Sequence, residues 1–577
     1  MEPKIIKSAK GFPVEYGSRS NSYKFNLLEE IDNTPSEDNN FFEEKSKISL
    51  ESFIVNKDFG IDTISKGFLV GKISHSQENI EDVIIVSEEF QKRDKYLLSK
   101  FLNSRVKILK FSKKKFLVVV EQLTSKTSLF FASNNMILHR PESNAFIVQK
   151  FKLHIILMII IFVYFIHTEL VTLLFFANIL FLIQKIHKWW IFLIVLFNSK
   201  KKNHISCQAH NAEIAEHDLP IYTILIPLFR EAAKVNNITN AINNLNYPKE
   251  KLDVKLIVES QDTQTIKAIQ ILDLPDYFHI IKVPYSFPQT KPKACNYALN
   301  YSLGEYCVIY DAEDTPEPNQ LLKVLKQFNE LGENYVCLQA VLKIIPKKNS
   351  LISIFYKYEY KIWFEYFLKG LALTKMPITL GGTSNHFKTK ILKKIGGWDA
   401  YNVTEDADIG IRFNLAGLGV STVDSYTAEE CSHTLKSWMK QRTRWIKGFI
   451  ITFISYLKSD KSKQSYGEIT SIVIFLGCAT LSFMLLPIII FAYNTDEVYA
   501  VNSLNNLILL NLIIYLMFLW CIGYVIVSSQ SYKHLLVTYI LIILLPFYFF
   551  LHSIASFVAL IETIASPFRW NKTDHVF

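Results

Sequence analysis

The sequence predicts a doubly wound α/β domain set between groups of transmembrane helices, with a small α/β domain ahead of them. Three observations carry this. Between about 218 and 433, short apolar runs alternate with helical stretches, the pattern of buried strands and crossover helices. On either side lie nearly continuous apolar stretches of bilayer-spanning length. Finally, 50% of the 577 residues are hydrophobic, high for a wholly soluble chain of this size, and membrane segments account for the excess.

Residues 1–60 are polar and mixed in charge, with Asn, Ser and Glu clustered at 33–47, a composition that favours partial disorder. The opening MEPKIIKSAKGF lacks the apolar core of a signal peptide, so later spans are expected to direct insertion. Within 61–150 the runs GFLVG, EDVIIV, LLSKFL, RVKILKF and KKFLVVVEQL read as a small cytoplasmic α/β domain. In the segment 151–199, the apolar stretch 153–184 is broken by His167, Thr168 and Glu169 and fits two short spans. The following WWIFLIVLF is too short to span and is expected in the interface. Lys150 and Lys152 precede this region, Lys185 and Lys188 follow the spans, and Lys200, Lys201 and Lys202 follow WWIFLIVLF; basic flanks on both sides imply an even number of crossings with both neighbouring domains in the cytoplasm.

The central domain, 218–433, opens with YTILIP, VKLIVES, HIIKVP, YCVIYDAED and YVCLQAV as strands, separated by helical stretches at 232–246 and 293–301. In such sheets ligands gather at the carboxyl ends of the strands, where four of these runs carry polar or charged residues. Neither G-x-x-x-x-G-K-[ST] nor G-x-G-x-x-G occurs, which removes the main support for P-loop and dinucleotide-binding readings. Residues 434–458 form an amphipathic helix, with Leu435, Trp438, Met439, Trp445, Ile446, Phe449, Ile450 and Phe453 on one stripe and Lys436, Lys440 and Lys447 largely off it, suited to lying on a membrane surface. The region 468–565 holds three apolar stretches, 469–493, 504–527 and 534–563. The NTDEVYAVNS loop between the first two has no Lys or Arg and suits the outer side; the last stretch contains Pro546 and is long enough for a span plus a surface-lying helix. A tail, 566–577, ends the chain.

The formal charge of +10 reflects many Lys at the edges of apolar runs, so membrane flanking accounts for it and nucleic acid is set aside. Seven Cys show no C-x-x-C pair and no ligand-like spacing to His, which argues against a zinc site or disulfide framework; Cys295, Cys307 and Cys337 suit core positions in a reducing compartment.

Five stretches concentrate chemistry. YDAEDTPEP places Asp311, Glu313 and Asp314 on one turn at a strand end, suiting a hard divalent ion that also takes phosphate oxygens. IPLFRE brings Pro227 and Glu231, and IVESQD brings Glu259 and Asp262, to two further strand ends. TKPKACNYAL supplies Lys291 or Lys293 to neutralise a diphosphate. GGTSNHF is a turn whose glycines allow close backbone approach, with Gly382, Thr383 and Ser384 as contacts and His386 in no more than a hydrogen-bonding role. In NVTEDADIGIRF, Thr404 is a good N-cap ahead of Glu405, Asp406 and Asp408, and the positive helix end is expected to keep a carboxylate there ionised. Downstream, Gln441, Arg444 and Trp445 share one helical turn, where an amide, a guanidinium and an indole can meet a diphosphate and a sugar.

Thr404-Glu405-Asp406 followed by Gln441-Arg442-Thr443-Arg444-Trp445 resembles the T/S-E-D and Q-x-x-R-W pair of processive, membrane-bound family 2 glycosyltransferases of the cellulose synthase and mannan synthase type. The resemblance extends to a D-x-D site read here as Asp311 and Glu313, with Asp314 as an alternative ligand because Glu departs from the strict motif. It also covers the T-K-x-x-A-L-N segment, with Cys295 at the usual Leu, and the PFRWNKTDHVF tail. The order of runs in 61–150 resembles the N-terminal domain of type II secretion ATPases, without phosphate-binding glycines.

The resemblance implies a GT-A-type domain at the cytoplasmic face of the inner membrane and an inverting, metal-dependent enzyme. It would move a sugar from a nucleotide-sugar donor to a growing glycan. Asp406 with Glu405 would be catalytic, and Asp311 and Glu313 would hold Mg²⁺ or Mn²⁺. Pro227, Glu231, Glu259, Asp262, Lys291, Lys293 and Arg444 would bind donor; Gly382, Thr383, Ser384, Gln441 and Trp445 would bind acceptor. Two alternatives stay open: transfer of a single sugar to a lipid carrier, and a catalytically silent nucleotide-binding sensor or scaffold. The sugar, the nucleotide and the oligomeric state are not legible.

Overall fold

A computed structural model describes residues 53–55, 68–74, 80–87, 106–202, 218–346, 348, 350–492, 502–528 and 535–569. The segment 1–52, the LLSKFL run, most of the NTDEVYAVNS loop and the tail beyond Arg569 lie outside the described residues.

The N-terminal region forms a four-stranded sheet in the order β1 (Phe53–Val55), β2 (Phe68–Ser74), β3 (Ile80–Ser87), β4 (Val106–Phe111). KKFLVVVEQL opens a 27-residue helix, α1 (Lys113–His139), capped by Ser112 accepting from the Lys115 amide. This helix packs against β3 and β4 and also against the central domain, so the two regions share a core. Phe116, Val119, Val120 and Ala132 enter that shared core, and Asn296 donates to the Ala132 carbonyl.

The predicted hairpin is present as α2 (Ile147–Thr168) and α3 (Leu170–Lys202), broken at Glu169. WWIFLIVLF is no separate interfacial piece: it continues α3, where Ile191, Phe192 and Val195 are buried. Lys185 and Lys188 accordingly sit inside α3, and the basic flank is Lys200–Lys202.

The central domain holds an eight-stranded sheet ordered β7-β6-β5-β8-β11-β10-β12-β9. The five predicted strands are β5 (Tyr222–Leu228), β6 (Leu252–Glu259), β7 (Phe278–Val283), β8 (Tyr306–Ile309) and β10 (Tyr335–Ile344). Between them run α4 (Val235–Asn243), α5 (Thr263–Ile271), α6 (Lys291–Leu299) and α7 (Gln320–Leu331), with the short β9 (Thr315–Pro316). β5, β6, β7 and β8 pair in parallel, and their near-continuous apolar runs follow from burial on both faces.

Two strands depart from the prediction. β11 (Asn385–Lys388) runs antiparallel between β8 and β10, so only the first half of GGTSNHF is a turn. β12 (Gly419–Glu429) pairs in parallel with β10. Its inward residues Ser421, Ser425 and Thr427 are mostly small and polar, so no apolar alternation marks it.

After β10 come α8 (Leu351–Lys361), a π-helical turn Ile362–Phe367 and α9 (Leu368–Leu373), then α10 (Thr389–Lys394) and α11 (Glu405–Leu415). α12 (Leu435–Lys458) carries QRTRW. α13 (Tyr466–Ile472), a second π-helical turn Val473–Cys478 and α14 (Ala479–Ala492) form one continuous helix, followed by α15 (Asn502–Ser528). α16 (Leu535–Ala565) is unbroken through Pro546, so the surface-lying second helix does not form. Among the described residues four helices are long and apolar enough to cross a membrane: Ile147–Thr168, Leu170–Asn198, Tyr466–Ile490 and Ile543–Ala565.

α12 differs from its reading as a helix laid on a membrane. Its Trp438, Ile446 and Ile451 are buried inside the protein, largely against α16, and Lys447 is buried with its Nζ 2.8 Å from Glu562 on α16. An apolar stripe reads the same whether lipid or another helix covers it.

Candidate active site

Because β8, β10 and β12 share one direction with β5 and β6, their carboxyl ends meet along a single sheet edge. A cavity of about 630 Å³ opens there. Asp311, which follows β8, and Asp406, at the start of α11, both face it, as do Pro227, Glu231, Glu259 and Glu313.

Lys291, at the start of α6, lines the cavity, forms an ion pair with Asp311 and donates to the Gly382 carbonyl at 2.8 Å. The same helix start is tied to the segment ahead of α11, since the Thr290 hydroxyl donates to the Ala400 carbonyl at 2.7 Å. Lys293 is fully buried and sits 2.9 Å from Glu259, so it neutralises that carboxylate and is absent from the cavity wall. Asp262 is also absent from the wall. It caps α5 through the Thr265 amide and hydroxyl and accepts from the Arg230 amide, which shapes the loop after β5.

In the acidic turn the residues divide. Asp314 is 1% exposed, accepts from the Asp311 amide at 2.8 Å and meets the Thr383 hydroxyl, so it closes the turn from inside. Burial and the neighbouring Asp311 push its carboxyl well above the usual range. Glu313 lies 3.4 Å from Lys234, which also meets Glu430 at 3.5 Å. Lys234, Glu429 and Glu430 were not singled out from sequence; Glu429 ends β12, the strand without an apolar signal, and Glu430 follows it.

Gly382 and Thr383 line the cavity, whereas Ser384 turns inward and donates to Thr427 at 2.7 Å. His386 is fully buried between Tyr222, at 2.7 Å, and Gln320, at 3.1 Å, in the structural role expected. Burial lowers its pKa to about 3, which keeps the imidazole neutral.

At α11 the capping expectation fails in detail. Thr404 occupies the N-cap position, yet its side chain accepts no amide; it is pressed against Gly448 of α12. A Cβ at Gly448 would lie 2.2 Å from the Thr404 hydroxyl oxygen, so glycine there lets α12 approach the Thr404-Glu405-Asp406 segment. Asp408 turns into the core, 2.6 Å from Arg412. Glu405 and Asp406 face the cavity, and Asp406 Oδ1 accepts from the Ala407 amide at 2.8 Å. The expectation of a carboxylate kept ionised by the helix end does not hold for Glu405. Burial and then Asp406 push the Glu405 carboxyl up to about 8, and burial raises Asp406 too, outweighing its amide bond, Lys291 and Arg444.

Gln441, Arg444 and Trp445 complete the wall from α12, and Arg444 Nη1 donates to the Val403 carbonyl at 3.4 Å, just ahead of Thr404. The same cavity is lined by Trp363, Phe364 and Phe367 from the first π-helical turn, Phe475 from the second, Phe483 and Phe549. Such aromatic rings suit the apolar faces of sugar rings.

Glu313 and Asp311 test whether a divalent cation fits. Among the described residues no three carboxylate, imidazole or thiolate groups converge as a complete metal site. Two carboxylates suit an ion that takes its other ligands from phosphate and water. Glu429 also lines the cavity, and its Oε2 is buried without a hydrogen-bond partner. Burial and the neighbouring Asp314, Glu313 and Asp311 push its carboxyl up, a surplus of negative charge that a cation relieves. The residues fit.

Residues 306–555 match the glycosyl transferase family group 2. The probable glycosyltransferase YdaM of Bacillus subtilis (strain 168) is 27% identical over 247 residues, covering 42% of this chain and 58% of its own. A probable glucomannan 4-beta-mannosyltransferase 7 of Oryza sativa subsp. japonica is 26% identical over 247 residues, covering 40% of this chain and 41% of its own. The chain thus spans about half the length of these curated relatives. Among solved structures, the mannosyltransferase PcManGT from Pyrobaculum calidifontis, in complex with GDP-Man and Mn²⁺, aligns at a TM-score of 0.40 and 14% identity over 66% of this chain and 98% of its own. The acidic turn, the Thr404-Glu405-Asp406 segment and QRTRW all lie inside the region that matches the glycosyl transferase family group 2, and the same chain holds helices long enough to span a membrane.

Proposed function

We propose that this protein is an inverting, metal-dependent glycosyltransferase that extends a glycan from a nucleotide-sugar donor, with residues 218–433 as its catalytic domain on the cytoplasmic side of the inner membrane. The observation that carries the polymer reading is that one cavity is lined both by Asp311, Asp406 and Trp445 and by aromatic residues of the spanning helices, Phe475, Phe483 and Phe549. The rice relative's name, a glucomannan mannosyltransferase, agrees with a glycan acceptor. Lys150 and Lys152 at the start of the α2–α3 hairpin and Lys200–Lys202 at its end support the cytoplasmic placement.

In this reading the donor lies along the sheet edge between Pro227, Glu259 and Lys291, and the acceptor sugar rests on Trp445. Asp406 takes the proton from the acceptor hydroxyl. The oxygen bonds to the anomeric carbon from the face opposite the leaving group, the carbon–phosphate oxygen bond breaks, and nucleoside diphosphate departs. Lys291 and Arg444 offset charge growing on that group. A Mg²⁺ or Mn²⁺ ion at Asp311 and Glu313 would supply Lewis-acid neutralisation of the diphosphate. Glu405, protonated near neutral pH by its raised pKa, spares Asp406 a second adjacent negative charge.

The test incubates the full chain in detergent with a panel of radiolabelled nucleotide sugars, with and without EDTA. A ladder of products that EDTA abolishes is expected. A single glycolipid product would replace the polymer reading with lipid-carrier transfer. Nucleotide binding with neither transfer nor donor hydrolysis would overturn the enzyme reading.

A further inference from the structure

Arg442, the second residue of QRTRW, has no part in the chemistry above, yet it is among the most elaborately held side chains of the cavity. It is 5% exposed. Its guanidinium meets the Glu359 carboxylate as a fork, Nη1 to Oε1 at 2.8 Å and Nη2 to Oε2 at 2.7 Å. Glu359, on α8, is gripped in turn from α16: the Tyr548 hydroxyl donates to its Oε2, and His552 Nε2 stands 3.6 Å from its Oε1. The Trp438 indole donates to the Tyr548 hydroxyl at 3.1 Å, which closes the set back onto α12. Burial opposes ionisation of Glu359, but Arg442, His552 and Tyr548 outweigh it and hold its carboxyl at about 2.

The guanidinium has a second contact. Its centre lies 4.4 Å from the centroid of the Trp445 ring and 4.9 Å from that of Tyr356. A planar cation pinned at both nitrogens by a carboxylate has one orientation left, and here that orientation lies against the indole. Buried ion pairs are weak sources of stability, since desolvation cancels most of their attraction, whereas they fix geometry well. Glu359, Arg442, Trp445, Tyr548 and His552 all line the same cavity.

We propose that the Arg442–Glu359 pair is a positioning device that sets the Trp445 indole for the acceptor and ties its placement, through Tyr548 and His552, to the spanning helix α16. It rests on the reading of Trp445 as the acceptor platform. A shift of α16 along its axis is then transmitted to the indole.

The experiment compares the full chain carrying Arg442→Lys, Glu359→Gln, Tyr548→Phe, and the double change Glu359→Met with Arg442→Met, each in detergent. The acceptor probe is β-1,4-linked mannobiose, used with whichever nucleotide sugar supports transfer, and UDP and GDP binding are titrated separately. Arg442→Lys and Glu359→Gln are expected to raise the acceptor KM about tenfold, the scale of losing one desolvated cation–aromatic contact, with Tyr548→Phe smaller. Nucleotide affinity stays within about twofold, because the donor edge is untouched. The double Met variant, matched in bulk and free of buried charge, is expected to fold and melt near the wild type yet keep the raised KM. A wild-type acceptor KM in that variant, or equal losses of nucleotide and acceptor binding in the single variants, overturns the proposal. Trp445→Ala separates the two readings: an unchanged acceptor KM there sinks the platform itself, whereas a raised one beside unaffected Arg442 variants sinks only the positioning role.

Discussion

The two ends of the cavity are built in different ways. At the sheet edge, short contiguous motifs deliver the groups: Asp311 and Glu313 from one turn, Lys291 from one helix start, Glu405 and Asp406 from another. The aromatic part of the wall is gathered from α3, both π-helical turns, α14 and α16, elements far apart in the chain. In the proposed reading, charge concentrated by strand ends suits a diphosphate, and aromatic surface suits a sugar acceptor. The difference teaches that the donor end is a local property of the chain while the acceptor end is a property of helix packing.

The sharpest way to break this contrast is at the donor end. Asp406→Asn should lower transfer by about 10²- to 10⁴-fold, the range for a lost general base, while UDP or GDP binding measured by titration stays near the wild type. Equal loss of both would remove Asp406 from the chemistry.

A second, smaller effect tests how the two ends are joined. Gly448→Ala places a methyl group where only 2.2 Å separates it from the Thr404 hydroxyl oxygen. Thermal unfolding should show a cost of about 1–3 kcal/mol, the scale of overpacking a tight contact, with reduced transfer because α12 is pushed off the Thr404-Glu405-Asp406 segment. An unchanged melting temperature would show that the contact yields without strain.

The smallest expected effect concerns pH. Burial and Asp406 push the Glu405 carboxyl up to about 8, so the folded chain holds that proton more tightly than the unfolded chain does. Its contribution to stability is full at low pH and is lost as pH rises from the ordinary carboxylate range to about 8. The wild type should therefore lose more melting temperature between pH 5 and pH 8.5 than Glu405→Gln does. Parallel curves for the two proteins would place the raised pKa elsewhere.

Much of the donor end was legible because its residues act where their own motif puts them. The strands β5, β6, β7, β8 and β10 follow from apolar runs, and their ends locate Pro227, Glu259 and Asp311. Legibility stops where a residue's role depends on what lies opposite. Lys291 and Lys293 are two residues apart in TKPK, yet a helix turns one to the cavity and the other to Glu259. Ser384 and Thr383 diverge in the same way at the entry to β11. β12, with its buried Ser and Thr, left Glu429, its last residue, without a strand to sit on.

By itself, then, the sequence determined the layered α/β domain, the spanning helices and the acidic and basic motifs, because hydrophobic periodicity and short-range spacing are written along the chain. Tertiary structure alone decided that Glu405 and Asp406 are buried beside one another, which pushes the Glu405 carboxyl up. It alone also decided that α12 lies against α16, and that Arg442 meets Glu359, 83 positions away. Those outcomes depend on desolvation and on partners far off in sequence, and neither is a property of any local stretch.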